Sequence, residues 1–404
     1  MSSPLAGVRI LDFCWIGAGA LVTKAAAELG AEVIRIESRS HPDNLRLTPP
    51  FRPGTEGLEA SGYFASRNPG KKSFALNMAH PEARAIALDL VANSDVVTSN
   101  FRPGVMERWG LSYDEVKAVN PDVVYMVMPM QGSDGPHRSF IGFGATIAAL
   151  GGLVSLSGER GRIPIGTGTH YPDHVPNPGH ALVGLLASIY HRQRTGRGQL
   201  IELSQLESTV NAIGPAVLAA STGDRDQLRP SGNRAPGVVP RGVYRTADEA
   251  WVVIVCSHDR HWESVAARLV EDGFEFDFPT ASVEQRESRR DDIEESVARW
   301  VSKFDRAEVL AILAKGGVPS GPVNTSADLL VDPHLTARGF WQTVNHPVIG
   351  ELPMFSLPFV RQPEGRQSPP RPPLLGEHTW DIASELLGMA RDRYDELVAA
   401  EVLY

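Results

Sequence analysis

Short apolar runs separated by amphipathic segments recur along the first half of the 404-residue chain. Runs of this length, rich in Val and Ile, predict buried strands, and the segments between them have the spacing of helices. The predicted strands span residues 8–12, 32–37, 74–77, 95–99, 123–128 and 199–204. The predicted helices include one that ends near Leu29 and one over residues 81–93. This alternation predicts the α/β class with a parallel sheet.

The turn after the first predicted strand, Ile16-Gly17-Ala18-Gly19, leads directly into a helix. Strand, glycine turn, helix and strand in this order resemble a dinucleotide-binding unit. Val22 stands where the third glycine of that fingerprint would be, so the support for a dinucleotide is weak. An NAD-dependent oxidoreductase that uses Glu37 remains one alternative.

Basic residues recur in the loops that we expect at one edge of the sheet. In open parallel sheets, ligands bind at the carboxyl ends of the strands. The loops expected there contain Gly17-Ala18, Arg39, Lys71-Lys72 and Asn100 to Arg102. Each basic residue alone is typical of a solvated side chain. Their recurrence after successive strands favours one shared anionic ligand.

A loop with a single carboxylate, Asp173, precedes a helix predicted over residues 178–194. Asn177 suits the N-cap and Pro178 the first helical position. The positive end of the helix would then face the loop and keep the carboxylate ionised at neutral pH, as a carboxylate nucleophile requires. A role in the turn alone is the alternative reading for an aspartate beside prolines.

The composition changes in the second half of the chain. Residues 222–240 are polar and rich in Gly and Pro, which predicts a linker. A hairpin with strands at 242–245 and 250–256 follows, and then helices at 259–271, 283–303 and 306–315. We expect a small α+β domain that ends near Val323. A last helix is predicted from residue 377 to the C-terminus.

Composition excludes several classes of protein. The net charge of −9 argues against non-specific nucleic-acid binding. Cys14 and Cys256 are the only cysteines and have no metal-binding spacing, which favours a reducing compartment and no metal site. The N-terminus has no signal-peptide pattern, and the apolar run at residues 181–190 is too short to span a bilayer. We therefore expect a cytoplasmic protein with no membrane partner.

Seven short motifs occur in order along nearly the whole chain. They are P-L-A-G-V-R-I-L-D-F at 4–13, L-G-A-E-V-I-R-I-E at 29–37, N-F-R-P-G at 100–104, R-T-G-R-G-Q at 194–199, G-V-P-S-G-P-V-N-T at 317–325, D-P-H-L-T-A-R-G at 332–339 and L-G-E-H-T at 375–379. Together they resemble the family III CoA-transferases, which include formyl-CoA transferase and the carnitine, bile-acid and benzylsuccinate CoA-transferases.

The resemblance implies a dimer of two interlocked rings. Each chain would have a Rossmann-like large domain that binds CoA, built from both ends of the sequence, and a smaller inserted α+β domain. We therefore expect the first part of the large domain at residues 1–221 and the small domain at 222–325. Residues 326–404 would return to the large domain. The partner would be a second copy, or a paralogous subunit in a heteromer.

The resemblance also assigns roles to particular residues. Asp173 would be the nucleophile. The residues implied to bind CoA, the last two as looser matches, are Gly17, Ala18, Lys71, Lys72, Asn100, Phe101, Arg102, Arg108, Arg39 and Arg138. Candidates for contact with the acyl group are His170, Tyr171, His174 and Gly232. Backbone N–H groups at Gly166 to Gly168 and at Gly232 are candidate oxyanion donors.

The implied activity is transfer of CoA from an acyl-CoA to a carboxylic acid, through a mixed anhydride and a thioester at Asp173. Succinyl-CoA is the expected donor, and an acid such as benzylsuccinate is a candidate acceptor. Acyl-CoA is then a substrate, and no permanently bound cofactor is expected. An α-methylacyl-CoA racemase ranks second, because Gly142-Phe143-Gly144 replaces the stretch that carries its histidine base. A silent CoA-binding subunit is a further alternative, which the presence of Asp173 disfavours.

Overall fold

The computed structural model describes residues 3–223, 228–274, 281–362 and 365–404. The chain divides into two compact units. The first comprises Met1–Ser155, Gly166–Arg225 and His334–Tyr404, and the second comprises Leu156–Ile165 and Asp226–Pro333. Residues 224–227 of the predicted linker lie outside the described residues.

A parallel sheet forms the centre of the first unit. Its strands, among the described residues, are β1 (Arg9–Phe13), β2 (Glu32–Glu37), β3 (Lys72–Ala75), β4 (Val96–Ser99), β5 (Val124–Val127) and β6 (Leu200–Glu202). They pair in the order β3-β2-β1-β4-β5-β6, and every neighbouring pair is parallel. The predicted α/β class is therefore confirmed.

Helices connect and cover these strands. They are α1 (Ala18–Glu28), α2 (Gly62–Arg67), α3 (Ala83–Ala92), α4 (Val105–Arg108), α5 (Tyr113–Val119), α6 (Gly144–Leu150), α7 (Tyr171–His174), α8 (Pro176–Thr195), α9 (Gln205–Asn211) and α10 (Gly214–Thr222). Helix α8 begins two residues before its predicted start. Val175 is its N-cap residue, so the prediction of Asn177 as the N-cap was wrong. Asn177 is buried and donates to the side chain of Gln205.

The second unit contains a three-stranded antiparallel sheet and helices. The strands are β7 (Arg241–Arg245), β8 (Trp251–Val255) and β9 (Ser320–Pro322). The helices are α11 (Asp259–Glu271), α12 (Val283–Ser288), α13 (Arg290–Val301), α14 (Arg306–Lys315) and α15 (Ser326–Leu330). The hairpin and two of the three predicted helices are confirmed. The helix predicted over 283–303 is interrupted at Arg289, which leaves the helical region before α13 begins.

The C-terminal part returns to the first unit after α16 (Pro333–Ala337). It forms a hairpin of β10 (Trp341–His346) and β11 (Gly350–Phe355), which the sequence analysis missed, and then helices α17 (Thr379–Glu385) and α18 (Arg391–Ala399). The single helix predicted from residue 377 is thus two helices. The chain turns between them at Gly388, which has a φ of +63°.

The parallel sheet is covered on both faces. Leu11 and Phe13 of β1 pack into a core with α3, α5, α17 and α18. Ile10, the residue before Leu11, packs into a second core with α1 and α8. This division follows from the two-residue period of a strand, which sends alternate side chains to opposite faces. Strands buried on both faces read as continuous apolar runs, and this made them visible in the sequence.

A buried ion pair lies beneath the first helix. The Nζ atom of Lys71 donates to Asp12 Oδ2 at 3.1 Å, to the Ala20 carbonyl at 3.0 Å and to Thr23 Oγ1 at 2.7 Å. Thr98 donates to the other carboxylate oxygen at 3.0 Å. Burial would raise the pKa of Asp12, but Lys71 and Arg35 more than offset that effect and hold the pKa below its usual value. The three donors of Lys71 are therefore used inside the protein.

The position expected for Lys71 and Lys72, at the carboxyl ends of the strands, is corrected by this geometry. Strand β3 starts at Lys72, two residues earlier than predicted, so both lysines lie at its amino end and not at its carboxyl end. Lys72 pairs with Glu32 at 2.6 Å. The strand predicted at residues 74–77 already had both lysines on its amino side, so grouping them with the loops at the carboxyl ends was inconsistent with that prediction.

Adjacent lysines with such different surroundings give a matched stability test. Lys71→Met leaves the buried Asp12 carboxylate without its ion-pair partner, and we expect a loss of about 3–5 kcal/mol in the free energy of unfolding. Lys72→Met removes an ion pair whose lysine side chain is 44% exposed, and the expected loss is about 0–1 kcal/mol. Urea unfolding followed by circular dichroism measures both. Equal losses for the two variants would contradict the role assigned to Lys71.

Candidate active site

The site lies between two neighbouring strands whose following helices cover opposite faces of the sheet. β1 and β4 pair side by side. The helix after β1 packs into the core on one face of the sheet, and Met106 of the helix after β4 packs into the core on the other face. A crevice opens between two such connections at the carboxyl ends of the strands. The loops that border it are residues 14–17 and 100–104.

A cleft of about 220 Å³ occupies this position. It brings together seven of the residues singled out from the sequence, which are Gly17, Ala18, Asn100, Phe101, Arg102, Arg138 and Asp173. Trp15, Met130 and residues 140–143 complete most of the wall. The cleft therefore contains one carboxylate, two arginines and several apolar side chains. This composition suits a ligand with an anionic part and an apolar part.

The side chain of Asp173 packs directly against the backbone of two glycines. A Cβ atom at Gly144 would lie 2.4 Å from Asp173 Oδ2, and one at Gly17 would lie 3.0 Å from the Asp173 Cβ. Gly17 is the N-cap of α1, and Gly144 is the first residue of α6. The Gly144 N–H lowers the pKa of the Asp173 carboxyl. Asp173 thus rests against bare backbone, which only glycine permits at these positions.

Burial dominates the electrostatics of Asp173. Partial burial raises the pKa of its carboxyl, and His170, the Gly144 N–H and Arg67 oppose the rise in part. Asp173 lies in α7, the short helical turn that precedes α8. The expected influence of a helix start is therefore outweighed by desolvation. A partly desolvated carboxylate is a stronger nucleophile than a fully hydrated one, because less water has to be displaced when it attacks.

His174 contacts a basic residue that the sequence analysis missed. Its Nε2 lies 2.9 Å from Nη2 of Arg67, and its Nδ1 lies 3.1 Å from Thr169 Oγ1. A guanidinium can only donate, so Nε2 accepts and the hydrogen is on Nδ1. Burial and the neighbouring Arg67 lower the pKa of His174 to about 4, so the ring is neutral at pH 7. The sequence around Arg67, S-R-N-P-G, carried no signal of this contact.

The side chain of Asn100 hydrogen-bonds the backbone of the loop that follows β1. Its Oδ1 accepts from the Trp15 N–H at 2.9 Å, and its Nδ2 donates to the Trp15 carbonyl at 2.6 Å. Phe101, the next residue, lies edge-on against Trp15 and against Trp109, with ring centroids 5.2 and 5.4 Å apart. The N-F pair predicted to bind CoA thus shapes the wall of the cleft.

The other predicted basic residues differ in position. Arg102 and Arg138 are exposed and line the cleft. Neither belongs to an ion pair within the parts of the chain that the structure describes. Arg108 is exposed at the end of α4, and Arg39 is exposed with its backbone N–H bonded to the Tyr404 carbonyl. Those two side chains do not line the cleft.

A second cavity of about 260 Å³ adjoins the cleft, since Trp15 and Phe101 border both. Its lining is mostly apolar and includes Phe13, Ile36, Leu76, Met78 and Trp109. A flat aromatic group could lie between such side chains. Of this lining, the sequence pattern predicted Leu76 only as part of a strand at 74–77, and it gave no sign of a cavity.

The candidates for acyl contact fall into two groups. His170, Tyr171 and His174 surround Asp173 within residues 170–174. Gly232 belongs to the second unit, has a φ of +61°, and its N–H donates to the Gly158 carbonyl at 2.8 Å. That N–H is therefore already used in this structure. Gly168 has a φ of +73°, and the N–H of Gly144, which was not proposed as a donor, acts on the pKa of the Asp173 carboxyl.

The family model for CoA-transferase family III matches residues 5–379. The chain belongs to this family. A family III CoA-transferase takes acyl-CoA as a substrate, so the activity class and the substrate class predicted from the sequence are confirmed. No helix within the described ranges is both long and apolar enough to cross a membrane.

Individual relatives of this CoA-transferase extend over almost the whole chain. The alpha subunit of succinyl-CoA–L-malate CoA-transferase from Chloroflexus aurantiacus is 31% identical over 99% of this chain and 92% of its own length. Human succinyl-CoA:glutarate CoA-transferase is 28% identical over 99% of this chain and 89% of its own length. The crystal structure of a CaiB/BaiF family protein from Brucella suis superposes with a TM-score of 0.86 at 28% identity, covering 96% of this chain and 100% of that one.

The alternative of an NAD-dependent oxidoreductase is not supported, because Glu37 is not free to bind a ribose. Glu37 is buried, and its carboxylate accepts hydrogen bonds from Arg46 at 3.0 and 2.6 Å. It is therefore occupied and cannot bind a ribose. Val22, in place of the third glycine, packs in the core beside α8. The partial glycine turn instead brings Gly17 against Asp173.

The fit between Gly144 and Asp173 can be tested by adding one methyl group. We expect Gly144→Ala to slow acylation by about 100-fold or more, because the methyl would displace the Asp173 carboxylate and a shift of about 1 Å is enough for such a loss. Gly179→Ala is the control, since a Cβ there meets nothing within 4 Å. Single-turnover kinetics with an acyl-CoA measure both variants. Normal kinetics in Gly144→Ala would refute the tight contact.

Proposed function

We propose that this CoA-transferase moves CoA from succinyl-CoA to another dicarboxylic acid, with Asp173 as the covalent nucleophile. The observation that carries the proposal is the position of Asp173. It is the carboxylate in a cleft that is also lined by two arginines, two side-chain amides and apolar groups, and it lies against Gly17 and Gly144. A nucleophile needs open space on one side and fixed neighbours on the other, and this arrangement supplies both.

The two cavities suit the two ends of a CoA molecule. Arg102 and Arg138 can donate to phosphate oxygens from the exposed rim of the cleft, where a guanidinium provides two parallel hydrogen bonds. The adjoining apolar cavity, with Phe101 in its wall, can hold the adenine ring. The thiol end would then extend along the cleft to Asp173. This placement explains why local positive charge is needed in a protein with a net charge of −9.

The proposed reaction begins with attack of an Asp173 carboxylate oxygen on the thioester carbonyl carbon. A C–O bond forms, the C–S bond breaks, and CoA leaves as the thiolate. The product on the enzyme is a mixed anhydride. The bound thiolate then attacks the aspartyl carbonyl, the anhydride C–O bond breaks, and the donor acid leaves as a carboxylate. Asp173 is now held as a thioester of CoA.

The second half repeats these steps in reverse with the acceptor acid. The acceptor carboxylate attacks the aspartyl thioester and releases the thiolate, and the thiolate then attacks the acceptor acyl carbon. The new acyl-CoA forms and Asp173 returns to its carboxylate. No proton has to be supplied, because each nucleophile and each leaving group is an anion. The Gly144 N–H can donate to the aspartyl oxygen throughout.

The substrate proposal rests on the relatives. Three of them are named for succinyl-CoA together with L-malate, mesaconate or glutarate, and these three acceptors are dicarboxylic acids. We infer that the acceptor here belongs to the same class. These acceptors are small and aliphatic, so they favour such an acid over benzylsuccinate. His170 and Tyr171 are the candidates to contact the acyl chain, because they lie just before Asp173 in the sequence.

The two alternatives within CoA chemistry are less well supported. A racemase needs a proton-transferring side chain, and Gly142-Phe143-Gly144 offers none where the base is expected. A silent subunit does not need a carboxylate, yet Asp173 is present and lies in the cleft. Covalent transfer is therefore the proposal that uses what the cleft contains.

The decisive experiment is removal of the nucleophile. Asp173→Asn keeps the shape but cannot form the anhydride, so we expect loss of transfer and of the covalent adduct, with CoA binding largely unchanged. Asp392→Asn, an exposed aspartate on α18, is the matched control. Intact-mass analysis after mixing with succinyl-CoA, and trapping with hydroxylamine, detect the adduct. Normal transfer by Asp173→Asn, or an adduct at another residue, would refute the mechanism.

We also infer that the enzyme works with a second chain. Helices α8 and α10 present large apolar side chains to solvent, with Val183 68%, Tyr190 59% and Leu218 67% exposed. Large apolar side chains exposed on these helices are candidates for contact with another chain. The Chloroflexus malate enzyme has chains named alpha and beta subunits. Light scattering should give twice the mass of the chain, and substitution of Val183 by Glu should halve it. A single-chain mass for the unmodified protein would contradict this inference.

A further inference from the structure

Arg67 differs from the other buried arginines of this protein. Five arginines are buried among the described residues, and Arg67 is 8% exposed. Each of the other four lies within ion-pair distance of a carboxylate, namely Arg35 with Asp43, Arg46 with Glu37, Arg286 with Asp259 and Arg290 with Glu287. Arg67 has no carboxylate within that distance in the described parts of the chain.

The contacts that Arg67 does make leave its charge without a counter-ion. Nη2 donates to the neutral His174 ring at 2.9 Å, and Nε is buried with no hydrogen-bond partner. The rings of Tyr63 and Phe355 lie 5.0 and 6.0 Å from the guanidinium carbon. A buried cation with an unsatisfied N–H is unfavourable relative to a paired one, because its lost hydration is not replaced.

The position of Arg67 links it to the nucleophile. His174, whose ring it contacts, is the residue after Asp173, and the Arg67 charge acts on the Asp173 carboxyl. When Asp173 is acylated it becomes a neutral anhydride or thioester. Arg67 would then have no anion near it unless the substrate brings one. The need for a counter-ion is therefore greatest in the covalent intermediates.

A dicarboxylic acyl group supplies such an anion. Its first carboxyl reacts with Asp173, while its second carboxylate stays ionised at neutral pH and is separated by a short chain. The guanidinium can donate to that carboxylate with a geometry that a lysine cannot reproduce. The contact between Nη2 and His174 fixes the orientation of the guanidinium, and Nε remains a free donor.

We propose that Arg67 binds the non-reacting carboxylate of the dicarboxylic acyl group and so makes the enzyme selective for acids with two carboxyl groups. This inference rests on the proposed function, because it takes Asp173 as the site of acylation. It adds to that function a residue, outside the cleft lining, that selects the substrate by charge. His174 is the positioning residue that orients the guanidinium.

Two thioesters that differ only at the far end of the chain provide the test. Succinyl-CoA ends in a carboxylate, and butyryl-CoA has the same number of carbons and ends in a methyl group. For Arg67→Met we expect the rate of Asp173 acylation by succinyl-CoA to fall roughly 10- to 100-fold, the range for losing hydrogen bonds to a charged group. The rate with butyryl-CoA should stay within about twofold. Rapid quenching and intact-mass analysis measure both.

Controls separate this role from a structural one. Arg84→Met removes an exposed arginine that pairs with Glu115, and it should leave both rates unchanged. Arg67→Lys keeps the positive charge but loses the planar guanidinium. Its preference for succinyl-CoA over butyryl-CoA should lie between those of the wild type and Arg67→Met. If Arg67→Met does not fold, Arg67→Lys still decides the question, because free succinate should protect wild-type Asp173 from butyryl-CoA more strongly than it protects this variant.

The outcomes are distinct from those for the proposed function. An equal loss with both thioesters in Arg67→Met, or no loss with either, would overturn the role of Arg67 and leave Asp173 as the nucleophile. Equal protection of wild type and Arg67→Lys by succinate would do the same. If neither thioester labels Asp173 in the wild type, the proposed function fails, and the assignment of Arg67 fails with it.

Discussion

The loop from Cys14 to Gly17 depends on charges buried behind it, and Gly17 of that loop lies against Asp173. Arg35 donates to the Cys14 carbonyl at 2.6 Å and pairs with Oδ2 of Asp43. The same Oδ2 atom accepts from the Ile16 N–H at 3.1 Å. Arg35 lies in β2 and Asp43 in the loop after it, and both side chains are fully buried. Neither side chain can therefore move without the other. Removing either charge would leave the other unpaired in the interior, which is unfavourable.

This network explains an unusual backbone conformation. Ile16 has a φ of +63°, a left-handed conformation that a β-branched residue rarely adopts. Strain of this kind persists only where the surrounding contacts over-determine the chain, and it occurs most often at functional sites. Here Asp43 holds the Ile16 N–H and Asn100 holds both backbone groups of Trp15. The strained turn brings the Gly17 backbone against Asp173.

The sequence was informative where local pattern decides the structure and uninformative where distant contacts do. Apolar runs located the parallel strands, because burial on both faces leaves few polar positions. The motifs pointed to Asp173, and the cleft contains it. Lys71 and Arg67 could not be read in this way. Both are basic residues in one short segment, and only the tertiary structure shows that Lys71 meets Asp12 whereas Arg67 meets no carboxylate in the described residues.

The arginines of the site fall into two classes that suit two kinds of anion. Arg102 and Arg138 are exposed, so a phosphate bound there can keep part of its hydration, and its affinity should depend on salt. Arg67 is buried, so an anion bound there must lose its water and be matched in shape. CoA is common to all substrates of such an enzyme, whereas the acid differs from one to another. Selection between acids is therefore most effective at the buried Arg67. An acyl group without a second carboxylate leaves that buried charge without a counter-ion.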